Sequence, residues 1–246
     1  MPSTPLLAGL ESMQKTEQFG TAKMRTRPPR PIDPADLHRI LAALERLPDK
    51  DGFVGYRTRA FVYLLFDGAL RTGAAICLNA EEMVKDPSAS RVHVVEEPVM
   101  RPCEGNKHRE RRFVMSERTR GAIADYLKAA RRDGWLANGT RLEGPLWIAT
   151  FPVGTQQRMS RRTAMQSWKT FLEGVPAVAE DYQLDDVVLT GRVAFANEAN
   201  ASPELISEHA GIGTKAAARY SDHMASRPGS ARQVISQLNQ KLKRKG

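Results

Sequence analysis

The sequence predicts a mainly α-helical protein with one small antiparallel β hairpin or sheet. Three observations lead there. Apolar residues recur at helical spacing through most of the chain. Several of those segments open on helix-start chemistry, with caps at Asp33, Ser116 and Ser160 and a first-turn proline at Pro34 and Pro203. Two short runs, 91–96 and 112–115, instead carry β-branched or aromatic residues, with turn residues Pro102 and Gly105 between them. With 246 residues, 41% of them hydrophobic, the chain is long enough to bury a substantial core.

Residues 1–30 have no sustained period and end in a basic run (Lys23, Arg25, Arg27, Arg30), which reads as a flexible basic arm. Order is expected from Asp33, where Leu37, Ile40, Leu41, Leu44 and Leu47 mark a helix that Pro48 should stop. A second apolar helix follows from Tyr56 to Asp67, ending on Gly68, and a short one from Gly73 to Leu78. Arg91–Glu96 and Arg112–Met115 form the expected hairpin, with Lys107 in its connection. Ser116 caps a helix to Arg132 whose inner face is Ile123, Tyr126, Leu127 and Ala130. Ser160 caps another, with Met165, Trp168, Phe171 and Leu172 inward. The last third reads as helices over Asp186–Asn197, Ser202–His209, Thr214–Tyr220 and Ala231–Leu242. The division expected is a 1–30 arm, a 31–224 domain and a 225–246 C-terminal basic helix or tail.

The formal charge is +9, of which residues 1–30 contribute +3 and residues 224–246 contribute +6, so the body between them is neutral. Local asymmetry therefore carries more information than the total. Arg101–Arg132 holds ten basic and four acidic residues, and Thr150–Leu172 holds four basic residues and no acidic one. These segments are candidate phosphate-facing surfaces, and Arg109, Arg111, Arg112, Arg158, Arg161, Arg162 and Lys169 are the DNA-binding candidates they supply. The alternative is a solvated polar face.

No apolar run is long enough to span a bilayer, and the N-terminus has no basic-then-apolar leader, so a soluble cytoplasmic chain without membrane partner is expected. Cys77 and Cys103 match no metal spacing and read as reduced thiols. The five histidines are scattered, with no paired-His helix, so neither a metal nor another cofactor is expected. Gly211-Ile212-Gly213-Thr214-Lys215-Ala216 superficially offers a dinucleotide loop, but it follows a helix where such a loop must follow a strand.

What remains is a spaced series of basic residues and a tyrosine. In Phe66-Asp67-Gly68-Ala69-Leu70-Arg71-Thr72-Gly73-Ala74 an arginine follows a helix-ending glycine, and in Gly105-Asn106-Lys107-His108-Arg109 a lysine precedes the second strand of a basic hairpin. In Arg192-Val193-Ala194-Phe195-Ala196 an arginine opens a helix, and Arg219-Tyr220-Ser221-Asp222-His223 sets a tyrosine near a helix end with a histidine three residues on. This order, over Pro31 to Met224, resembles the catalytic domain of the tyrosine recombinases, the phage-integrase family. Thirty residues are too few for the helical core-binding domain many members carry ahead of it, so the resemblance is to the minimal members found in inversion switches and mobile elements.

The resemblance implies site-specific cleavage and rejoining of double-stranded DNA through a 3′-phosphotyrosyl intermediate. It also implies a homodimer or homotetramer assembled on DNA, and association with the nucleoid. It makes Arg71 and Arg192 the phosphate clamp, Tyr220 the nucleophile, Lys107 the acid for the leaving 5′-oxygen, and His209 the histidine that precedes the tyrosine. The chemistry suits the residue types: guanidinium forks match the charge developing on non-bridging oxygens, and a phosphotyrosyl link conserves bond energy without ATP or metal.

The chain also departs from the family pattern. Leu189 stands where the family has a histidine three residues before its second arginine, and Ala74 where a glutamate follows the first. His209 lies eleven residues before Tyr220, farther than is usual, and an ungapped count puts Gly211 in its place. Two other readings therefore stay open: a catalytically degenerate homologue acting as a DNA-binding regulator or accessory factor, and a helical interaction module held near nucleic acid by its tails.

Overall fold

The structure is a computed structural model that describes residues 27–87, 91–101, 110–136, 141–150, 156–178, 181–199 and 202–221. These form eight helices and a two-stranded antiparallel sheet: α1 (Pro34–Gly68), α2 (Thr72–Ile76), α3 (Ala80–Met83), β1 (Val99–Met100), β2 (Arg111–Arg112), α4 (Glu117–Arg132), α5 (Arg161–Glu173), α6 (Leu184–Ala199), α7 (Pro203–Ala210) and α8 (Thr214–Ser221). The expected helix over Ala231–Leu242 lies outside the described residues.

The second half of α1 is the hub. Ala60 to Phe66 are all buried, as a segment hydrophobic all round must be, and α4, α5 and α6 pack around it. Asp33 caps the N-terminus by accepting from Ala35 N, but Pro48 does not end the helix. The break comes at Gly52, whose φ of 52° and ψ of −130° belong to a region that only glycine enters cheaply. Pro48 removes one backbone donor, whereas Gly52 permits the change of direction.

The hydroxyl groups of Ser116, Ser160 and Ser202 each accept a backbone N–H at the start of α4, α5 and α7, as anticipated for the first two. On α4 the inner face is Ile123, Tyr126, Leu127 and Ala130. On α5, Trp168 and Phe171 are buried while Met165 and Leu172 are only partly so. Trp147, in the 141–150 segment for which the sequence suggested no element, is fully buried; its indole N–H donates to Ala75 O at 2.8 Å.

The hairpin differs from expectation in its first strand. Val99–Met100 pairs with Arg111–Arg112, while the 91–96 run contributes one isolated bridge, Val94 with Val84. Two residues per strand is too short a ladder for an alternating pattern to mark it. Cys77, at the end of α2, is disulfide-bonded, which corrects the reading of reduced thiols; Cys103 lies outside the described residues.

Residues 27–30, expected in the flexible arm, lie against α6. The carboxylate of Asp186 is fully buried and accepts from the Arg27 guanidinium and from Arg30 N, and Ile32 N donates to the Thr190 hydroxyl at 2.9 Å. A buried carboxylate demands such partners, and the nearest available ones are in this segment.

Candidate functional site

Three elements bring Arg71, Arg192 and Tyr220 to one pocket. After α1, Ala69 takes a left-handed conformation (φ 47°), the chain turns, Leu70 is buried and Arg71 emerges exposed at the head of α2. Arg192 does not open a helix as expected but lies inside α6, two turns past its start, and donates through Nη2 to Ala69 O at 3.3 Å, so it is tied to the same turn. Tyr220, on α8, packs partly against a small second core of Val114, Phe195, Ala196, Ile206 and Ala217, which joins α6, α7 and α8. The pocket is about 540 Å³, and Thr72, Arg161, Asp185, Leu189 and Pro29 are also on its wall.

Arg71 also lines an adjoining cavity of about 740 Å³, between β2 and the α7–α8 connection, together with Arg111 and Arg112. Arg111 is more than a surface cation. Its Nη1 donates to His209 O at 2.7 Å and its Nη2 to Gly68 O at 3.3 Å, which stitches β2 to the ends of α7 and α1. Burial, and then the neighbouring charges of Arg192 and Arg71, lower its pKa to about 10, so it stays cationic at neutral pH. Burial also lowers Arg192, and Tyr220 offsets part of that.

Tyr220 stands apart from the other tyrosines. Tyr63, Tyr126 and Tyr182 are buried, and burial raises each above its ordinary value, Tyr126 to about 12. Of the five tyrosines in the chain, Tyr220 is the one on the pocket wall with Arg71 and Arg192.

His209 is not on the open face of this site. Its ring is stacked on Phe195 at 4.1 Å and its Nε2 is 2.7 Å from Asp67 O. A carbonyl only accepts, so Nε2 carries the proton, and the buried Nδ1 has no hydrogen-bond partner. The histidine therefore ties α7 to the end of α1, next to Arg111. The Asp67 carboxylate is buried too, and accepts from Ser116 N and the Thr119 hydroxyl at the start of α4.

Burial pushes His209 down to about 4, against an ordinary value near 6.5. Between those values the unfolded chain binds a proton that the folded chain does not, so stability falls as the pH drops from about 6.5 to about 4. The expected loss is about 3 kcal/mol, read as a falling urea midpoint. His209→Phe, which keeps the stacking, should flatten that dependence.

The remaining candidates separate. Arg112, Arg161 and Arg162 are exposed; Arg161 faces Asp185 at 3.6 Å, and Lys169, also exposed, faces Glu173 at 3.9 Å. Arg158 was expected to face phosphate, but its guanidinium is taken up internally by Ile76 O, Leu78 O and Asn79 Oδ1, which satisfies the carbonyls where α2 ends. Lys107 and Arg109 lie outside the described residues. Sequence reasoning passed over Asp185, Thr72 and Pro29. The spacing of Asp185, Leu189 and Arg192 along one helical face was the available signal.

No family model and no curated protein matches this sequence. Solved structures do match its fold. XerH, a site-specific recombinase bound to its difH substrate before cleavage, superposes with a TM-score of 0.58 over 80% of this chain and 51% of its own, at 11% identity. XerA recombinase gives 0.56 over 90% of this chain and 65% of its own, at 13% identity. The chain has the fold of a tyrosine-recombinase catalytic domain. The integrase of the Tn1549 transposon, in complex with a circular-intermediate DNA, shares this recombinase fold at a TM-score of 0.53, over 85% of this chain and 66% of its own, with 16% identity. The chain thus spans about half to two thirds of the length of these recombinases. Among the described residues no helix is long and apolar enough to cross a membrane, and no cluster of His, Cys, Asp and Glu could hold a metal.

Proposed function

We propose that this chain is a DNA strand transferase that cleaves and rejoins duplex DNA through a 3′-phosphotyrosyl intermediate. The observation that carries the reading is the convergence of Arg71, Arg192 and Tyr220 on one pocket from three separate elements. Two guanidinium groups there match the two non-bridging oxygens of a phosphodiester. The second cavity adds Arg111 and Arg112 to Arg71, with Glu110 and Glu208 also on its wall, and this net excess of positive charge offers the flanking backbone phosphates a path. Lys107 protonates the departing 5′-oxygen, and no cofactor enters the reaction. The partner is double-stranded DNA, as in the XerH and Tn1549 complexes, with two or four copies of the chain assembled on it.

Duplexes selected from a randomised pool by binding to the full chain, resynthesised with nicks stepped along the sequence, provide the test. A nick beside the cleavage site lets the short fragment leave and traps the covalent adduct. The parent chain forms the adduct, whereas Tyr220→Phe binds the same duplex and forms none. Absence of adduct from a duplex the parent chain binds sinks the enzymatic reading.

One observation favours a second reading, a DNA-binding regulator on the same fold. Leu189 and Ala74, where the family has a histidine and a glutamate, are both on the pocket wall. A single lost acid or base ordinarily costs on the order of 10²–10⁴ in rate. Binding without adduct is the outcome that reading requires.

A further inference from the structure

The pocket that lacks an imidazole at Leu189 and a carboxylate at Ala74 holds a carboxylate elsewhere. Asp185 is the one acidic side chain among its described lining residues. It lies one helical turn before Leu189 and two before Arg192, so the three share a face of α6. Its side chain is 40% exposed. Oδ1 accepts from the Thr72 hydroxyl at 3.1 Å, beside Arg71, and Oδ2 faces Arg161 at 3.6 Å. The carboxylate is thus steered from two sides but left open to the pocket.

The charged and titratable groups facing it are Arg71 from the α1–α2 turn, Arg161 from α5, Arg192 on its own helix and Tyr220 from α8. Three cations surround one acid. For phosphate binding alone the acid is a liability, since it repels the anion the arginines attract. A proton acceptor at the reacting centre offsets that cost.

We propose that Asp185 accepts the proton of Tyr220 during strand cleavage; this rests on the reading of Tyr220 as nucleophile. The phenol oxygen forms a bond to phosphorus as the bond from phosphorus to the 5′-oxygen breaks. The phenol proton passes to an Asp185 oxygen, directly or through a water, and the departing oxygen is protonated by the general acid. In rejoining, the 5′-hydroxyl attacks phosphorus, the tyrosyl oxygen leaves, and Asp185 returns the proton to it. The family-pattern histidine is thereby replaced by a carboxylate one turn away on the same helix.

The test is the single-turnover rate of adduct formation by the full chain on the nicked, selected duplex. Asp185→Asn is expected to slow it on the order of 10²–10⁴-fold, with binding to that duplex equal or tighter because a negative charge beside the phosphate is removed. Adding Leu189→His to Asp185→Asn puts a proton acceptor back one turn along and is expected to recover at least about tenfold, with a rate that falls as the pH drops through about 6.5. A role limited to holding Thr72 and Arg161 would not be rescued in this way.

Three results overturn the proposal, and they are distinguishable. If the parent chain forms no adduct, the nucleophile reading fails and the acceptor with it. If Asp185→Asn forms adduct at the parental rate, the nucleophile reading stands and the acceptor is wrong. If Asp185→Asn is slow and Leu189→His does not rescue it, Asp185 is a positioning residue.

Discussion

Arg192→Ala is expected to slow adduct formation on the order of 10²–10³-fold while weakening duplex binding only slightly. The asymmetry follows from where the guanidinium sits. It is partly buried, tied to Ala69 O, and shares a pocket with Arg71 and Tyr220. Such a donor is partly shielded from water, so its attraction to charge appearing in the transition state is larger than it would be in bulk solvent. For binding, it is one cation among several along two cavities, and its loss should lower the salt slope by about 1. Arg192→Lys keeps the charge but lacks the planar fork, so it should keep binding and lose most of the cleavage. Equal losses in rate and affinity would make Arg192 an anchor alone. Rates on the nicked duplex beside equilibrium binding at fixed salt decide between them.

The second large effect concerns the seat of that arginine. At Gly191 an added Cβ would lie 2.1 Å from Phe66 O and 2.9 Å from Phe66 C, atoms of the α1 backbone that have nowhere to go. Gly191→Ala must therefore push α6 off the most buried stretch of α1. The expected cost is about 3 kcal/mol, the upper end for overpacking, or about 6–12 °C in Tm for a domain of this size. Arg192 is the next residue, so the surviving folded protein should also cleave poorly. Gly121, on the exposed face of α4, has nothing within 4 Å of an added Cβ. Gly121→Ala should instead stabilise by about 0.5–1 kcal/mol through helix propensity. Comparable melting points for the two variants would contradict the close α1–α6 approach.

Much of this architecture was readable from residues in order, because its determinants are local. The serines at 116, 160 and 202 announce helix starts by a side-chain bond that spans three residues, and the α4 stripe at Ile123, Tyr126, Leu127 and Ala130 is periodic. The strand partner was not readable. Val99–Met100 pairs through two residues, while 91–96 has the composition of a strand and little ladder to join. Pro48 misled for a related reason: a proline removes a donor, but the turn itself needed the conformation that Gly52 supplies.

The site was legible in part. Arg71, Arg192 and Tyr220 could be chosen from their local surroundings and order, but what each faces depends on how separate helices meet. Arg158 and Arg111 look alike in sequence as basic residues in basic segments. In the structure Arg158 closes the end of α2, whereas Arg111 bridges three elements on the wall of the cavity between β2 and the α7–α8 connection. His209 has the neighbours of a site histidine and the environment of a core one. Asp185 carried only its spacing to Leu189 and Arg192 as a signal, and the pocket separates it from Asp186, its neighbour in sequence, whose carboxylate is buried against Arg27.

In the proposed reaction the Tyr220 oxygen becomes bonded to DNA. The most direct measurement is to trap the adduct on the nicked duplex, digest protein and DNA, and locate the nucleotide-bearing peptide by mass spectrometry. The expected product carries a 3′-phosphate attached to Tyr220 and to no other tyrosine. Attachment at another residue, or a duplex that is bound but never joined to protein, would contradict it.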